Sequence, residues 1–211
     1  MRWAVAAAVA ALLVAGCSTA VSSTESGNRE TITSVAPGAP HCGVERWAVK
    51  TGTDATAGTV NLGDVHDTTV AELNGLAVPV GFSQDAGRLA GSAEFTVWKV
   101  SATLVQYKQE ADSDYHLVLK DGQGNTMIAE IPDPSCVHGS SPFLAGITKA
   151  RAQFNARYAV GDYWQTANVP VTVTGVGFFD TPHGQTGVAR NAIELHPVLD
   201  IQFAGAAPSP S

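Results

Sequence analysis

The chain has 211 residues, 45% of them hydrophobic and 15% charged, which is enough for one domain with a sizeable core and short for two. Its formal net charge is -7, and an acidic surface is repelled both by phosphate backbones and by anionic headgroups. Nucleic acid is therefore disfavoured as a partner, and a basic patch is not what would hold the chain to a membrane. Three cysteines without CxxC or Cys/His ligand spacing exclude a structural zinc-cysteine site.

Arg2 supplies a positive start, residues 4–14 carry no charge, and Leu13-Val14-Ala15-Gly16-Cys17 follows. The apolar run, about a dozen residues, is too short for a helix spanning a ~30 Å hydrocarbon core. Small residues followed by a cysteine resemble the lipobox of bacterial lipoproteins. The resemblance implies a signal peptide over residues 1–16 and cleavage before Cys17. It also implies a diacylglycerol thioether on the Cys17 sulfur, an acyl chain on the new amino group, and an extracytoplasmic protein anchored to a bacterial membrane by lipid. The alternative is an ordinary cleaved signal peptide and a soluble product. Residues 17–40 are rich in Ser, Thr, Gly and Pro and poor in large apolar residues, so they read as a disordered tether. With Cys17 lipidated, Cys42 and Cys136 remain, and two thiols in an exported chain are expected to form a disulfide; two buried free thiols are the alternative.

Residues 41–92 read as an N-terminal extension. Within it, residues 45–51 place Trp47 and Val49 on one face of a short strand, and Thr69-Val-Ala-Glu72 has the spacing of a capping box opening a short helix with Leu73 and Leu76. From residue 93 the β pattern is clear. Residues 94–108 form one long strand, 115–120 a second ending at the hairpin signal Asp121-Gly-Gln-Gly124, and 126–131 a third stopped by Pro132 and Pro134. Ser141-Pro142 then opens a helix whose stripe Phe143, Ile147, Ala150, Phe154 and Tyr158 faces a core. Residues 170–179 and 191–203 are the last strands. On the latter, Ile193, Leu195, Leu199, Ile201 and Phe203 share one face, and Glu194, His196, Asp200 and Gln202 the other. Residues 205–211 read as a frayed tail.

The order strand, strand, strand, helix, strand, strand over residues 93–204 resembles an OB-fold, and implies a mainly β protein with one or two helices. The ring would be a five-stranded Greek-key barrel with its helix between strands three and four. Phe178-Phe-Asp180, His183 and residues 192–198 also resemble an end-of-chain pattern of uncharacterised exported bacterial proteins, which implies no activity.

One constellation carries chemistry. Asp180 and His183 share a loop, Glu194 and His196 project from one face of the last strand, and His116 projects from the second. Two His and two carboxylates could make an N/O site for zinc or manganese. The competing reading makes these the wet face of a strand, with Pro197 marking an edge or bulge. Glu110, Asp112 and Asp114 offer a turn that could contact Ca²⁺, without EF-hand spacing. Trp98 and Tyr107 could form a base- or sugar-stacking surface, or belong to the core. No nucleophile-elbow motif or phosphate loop is present.

The expected function is a membrane-tethered binding or structural module, without a cofactor, for an envelope protein, a glycan or another exported protein. One alternative is a metal-dependent hydrolase using Asp180, His183, Glu194 and His196, with zinc lowering the pKa of bound water. Another is oligonucleotide or oligosaccharide binding on the barrel face.

Overall fold

The computed structural model of the protein describes residues 41–205. Residues 1–40, read from the sequence as a signal peptide, a lipidated Cys17 and a tether, and residues 206–211 of the predicted tail lie outside the described residues. No helix among the described residues is long and apolar enough to cross a membrane.

The protein is mainly β. Six strands form one sheet, β1 (Val65–Thr68), β2 (Val97–Gln109), β3 (Tyr115–Lys120), β4 (Thr126–Ile131), β5 (Gln165–Phe179) and β6 (Ile193–Phe203). Among the described residues three α-helices accompany them, α1 (Trp47–Thr51), α2 (Val70–Asn74) and α3 (Leu144–Asn155). The strand order is β1-β2-β3-β4-β6-β5, and β2 also pairs with β5, so β2, β3, β4, β6 and β5 follow one another in a closed circuit of hydrogen bonding. The pairs are antiparallel except β1 with β2 and β4 with β6. Strand β2 is long enough to serve two partners, and its register slips between Leu104 and Gln106 on both sides. Such a slip is how a strand bends away from one neighbour while holding another.

The alternating residues of β2 to β6 supply the interior. Val100, Leu104, Leu117, Leu119, Met127, Ala129, Val173, Leu195 and Ile201 are buried in one cluster, closed by Phe154 of α3 and Leu73 of α2. Helix α3 follows the predicted stripe, with Phe143, Ile147, Ala150 and Phe154 fully buried. It lies against β6, where Gln153 accepts from the Ile201 N–H and donates to Asp200. Ser141 accepts from the Phe143 N–H just before the helix. The Thr69–Glu72 capping box forms in full at the start of α2.

One expectation about the N-terminal extension is corrected, and one element is added that the sequence did not announce. Residues 47–51 form α1 instead of a strand. Arg46 and Gly52 bracket it in left-handed conformations, and the Gly52 N–H closes onto the Ala48 and Val49 carbonyls. A side chain at position 52 would meet the Phe143 ring at 2.4 Å, so the packing as well as the backbone requires glycine there. Residues 65–68 form β1, which had no apolar alternation to announce it; three of its four residues are exposed, and its backbone is held by pairing with residues 97–100. The extension is tied down by the Cys42–Cys136 disulfide, with Cα atoms 5.4 Å apart. It is also held by Arg46, whose guanidinium meets Glu94 in two hydrogen bonds and donates to the Phe179 carbonyl.

A second correction concerns β6. From Leu195 to Val198 this strand advances three residues while β5 advances two, and from Val198 to Asp200 it advances two while β5 advances one. Each step adds one unpaired residue, so the inward set is Ile193 and Leu195, then Val198, then Ile201. Pro197, which has no N–H to give a ladder, sits at the first bulge.

Candidate functional site

The outer faces of β3, β4 and β6 would be wet in a single-layered sheet, but here they are covered. Gly187, in a left-handed conformation that glycine adopts freely, lets the loop 180–192 press onto Val118, and the Thr186 carbonyl lies 2.9 Å from His116 Nε2. Helix α1 brings Lys50 to the same side, its ammonium 5.3 Å from the Phe178 ring. The reading of Glu194 and His196 as solvent-facing is therefore overturned: both are buried, His196 to 1% exposure.

The strand pairing sets the side chains in a row. His116 on β3 stands directly across from Glu130 on β4. Ala129 pairs with Leu195, so the next residue on each parallel strand, Glu130 and His196, are neighbours. Side chains opposite one another on one face are close enough to interact, and these do. Glu130 bridges the two imidazoles, Oε1 lying 3.1 Å from His116 Nδ1 and Oε2 3.0 Å from His196 Nδ1. Glu194 Oε1 lies 3.2 Å from the same His196 nitrogen. From the turn before β3 comes Asp114, whose Oδ1 accepts from the Asp133 N–H. Its Oδ2 stands 3.4 Å from His196 Nε2. Neither of those last two atoms has a hydrogen bond, although both are buried.

These contacts shift the ionisations strongly. Burial alone would lower the His116 pKa, but hydrogen bonds to Glu110 and Glu130 outweigh it and push it up to about 10. Burial and the Lys50 charge also act to lower His196, and Asp114, Glu130 and Glu194 together carry it well above its ordinary value. Burial would raise Glu130, yet its bonds to the two imidazoles hold it well below the carboxylate range. Glu194 moves the other way, raised by burial and by the neighbouring Glu130 charge. Asp112 is raised by burial and by the charge of Asp114. Burial would lower Lys50, and the surrounding carboxylates, Glu194 first, raise it.

Above this row lies an open cleft of about 420 Å³, lined by Lys50, Glu110, Asp112, His116, Glu130 and Asp180 among others. Glu130, its side chain 12% exposed, belongs both to the cleft and to the buried row. Among the described residues, the His, Cys, Asp and Glu groups whose donor atoms come within 4.8 Å of one another are Asp114, Glu130 and His196.

The residues singled out in the sequence are distributed as follows. Glu194 and His196 meet as expected. Asp180 accepts from the Gln185 amide, and its Oδ2 is 4.0 Å from the largely exposed His183, which also lies against the Thr181 carbonyl. Asp180 and His183 line the cleft but do not join the compact donor group. Trp98 and Tyr107 do not form one exposed surface. Tyr107 is buried against Phe154 and Tyr158, while Trp98 is half-buried with its indole N–H donated to the Ala93 carbonyl. Asp114 enters the sequence reading as part of a turn that could contact Ca²⁺, and Glu130 does not enter it. The signal for Glu130 was its place directly across the predicted hairpin from His116.

No protein-family model matches the chain, and no curated protein matches it. Solved structures resembling it include a chain assigned as an aspartyl-tRNA synthetase from Leishmania major, at 15% identity and a TM-score of 0.39. Another is the Entamoeba histolytica asparaginyl-tRNA synthetase in complex with asparaginyl-adenylate, at 11% identity and a TM-score of 0.34. The matches cover 69% and 63% of this chain, which spans only 22% and 25% of theirs.

Proposed function

We propose that the chain is a membrane-tethered extracytoplasmic lipoprotein. Its body is an OB-like five-stranded Greek-key barrel, and its acid-lined cleft binds a positively charged group of an envelope component or exported protein. The observation that supports binding is the cleft itself. It is open to solvent, and Glu110, Asp112, Glu130 and Asp180 outnumber the cations Lys50 and His116 on its wall. A wall with a net excess of negative charge concentrates cationic ligands. The barrel reading is supported by the closed circuit β2-β3-β4-β6-β5, with α3 between its third and fourth strands. The anchor reading is supported by the Leu13–Cys17 sequence, and the lipid has to do the holding because the chain is acidic.

Two measurements test this. The full chain from a bacterial host should partition into the detergent phase and carry a lipid mass, and Cys17→Ser should move it to the aqueous phase; a Cys17→Ser chain that stays in detergent refutes the anchor. Spermidine, as a cationic probe, should shift the amide resonances of the cleft wall in a salt-sensitive way. If Asp112→Lys binds spermidine as well as the native chain does, the cleft is not the recognition surface.

A further inference from the structure

We propose that Asp114, Glu130 and His196 form a site for one divalent first-row transition-metal ion, with zinc and manganese the ions its donors suit. Three independent observations converge on it. The first is distance: one donor atom of each residue lies within 4.8 Å of the others. Donors bound to one ion at ~2.0–2.2 Å sit at most about 4.4 Å apart, so the three are near the separation that one ion requires.

The second observation is what the protein leaves undone. Asp114 Oδ2 and His196 Nε2 are buried and face each other 3.4 Å apart, an ion pair in which neither atom makes a hydrogen bond. Buried polar atoms are nearly always satisfied, and two facing orphans of complementary ligand type mark a place where something else binds. The third is the support behind the donors. Asp114 is pinned through its other oxygen by the Asp133 N–H. Glu130 is held from behind by His116, which is itself seated against the Thr186 carbonyl. Outer hydrogen bonds of this kind orient metal ligands and keep them basic.

The donor chemistry narrows the ion. One imidazole with carboxylates and no thiolate suits zinc and manganese, whereas calcium and magnesium take oxygen donors. Glu194, 3.2 Å from His196 Nδ1, lies outside that donor group and fixes the ring. The route from solvent is the cleft, since Glu130 lies in its wall. The site deepens the cleft reading above and shares no residue with the anchor.

The test uses the full chain in detergent, stripped with a chelator and titrated with Zn²⁺ and with Mn²⁺ by calorimetry, with metal content read by elemental analysis. One ion per chain is expected. Asp114→Asn and Glu130→Gln should each weaken binding about 100-fold or more, and Asp67→Asn, an exposed acidic control on β1, should not change it. Circular dichroism without metal establishes that each variant is folded. Co²⁺ loading should give a visible absorption band that His196→Gln removes. A folded native chain that takes up no ion, or binding untouched by Asp114→Asn and Glu130→Gln, overturns the site and leaves an internal imidazolium–carboxylate network in its place. A chain that enters detergent but binds no ion removes the site and leaves the anchor standing.

Discussion

At Arg46 both terminal nitrogens meet a carboxylate oxygen of Glu94, at 2.8 and 2.9 Å, and the remaining donors reach the carbonyls of Ala86, Gly87 and Phe179. Glu94 also accepts from the Leu89 and Phe179 N–H groups. Beside it, Arg88 meets Asp54 and the Val49 and Glu94 carbonyls. At His196 three carboxylates surround one imidazole, and two buried atoms have no hydrogen bond. Both clusters are charged and screened from water. The first is closed, every strong donor answered by an acceptor, and its work is to dock the extension onto β5. The second is open, with carboxylates in excess and donors left over. Desolvating charge is costly unless it is paired and hydrogen-bonded, so an incomplete cluster next to a cleft points to a ligand, as a complete one does not.

The comparison can be broken at several points. Glu94→Ala strands the Arg46 guanidinium and should cost about 3–5 kcal/mol in chemical denaturation; a loss below about 1 kcal/mol would show that the closed cluster does not hold the extension. Reduction of Cys42–Cys136 frees residues 94 apart in sequence and should lower stability by about 4.7 kcal/mol on the chain-entropy account, read from urea midpoints with and without reductant. In the open cluster the expectation reverses. Asp114→Asn keeps an oxygen for the Asp133 N–H and should cost no more than about 1 kcal/mol in chelator, while abolishing the rise in Tm that Zn²⁺ gives the native chain.

The smallest effect concerns acid. Burial would raise the Asp54 pKa, but its bonds to Arg88 and Thr56 outweigh that and hold it below the ordinary 3.8. The stability this contributes is present above pH 3.8 and is lost as pH falls through the lower folded value. Melting curves should therefore show Asp54→Asn flattening the native chain's pH dependence below about pH 4; an unchanged slope there would remove Asp54 from the closed cluster.

Much of this was legible in the residues. The alternation in 94–108, 115–120 and 126–131 and the stripe from Phe143 to Phe154 state which side chains pack together, because periods of two and of three to four are properties of the backbone. The Thr69–Glu72 box is a local device and formed as read. The Cys42–Cys136 bridge followed from counting thiols in a chain read as exported. What lay beyond reach was whatever depends on a neighbour. Strand β1 has no apolar signal and exists because β2 offers it an edge. Helix α1 is five residues long, too short for its periodicity to separate helix from strand. The bulges at Pro197 and Leu199 reset which residues β6 turns inward only beyond His196; Glu194 and His196 keep the face that alternation gives them, and it is the cover of loop 180–192 and α1 that buries them.

The sequence by itself determined the order of elements from β2 onward, the core stripe and the presence of His and carboxylates near the end of the chain, since these rest on local propensity and spacing. Only the tertiary structure decided that Asp114, Glu130 and His196 stand together and away from water. Register across β3, β4 and β6 brings three distant segments side by side, and the loop 180–192 with α1 covers the face that a single sheet would have left wet.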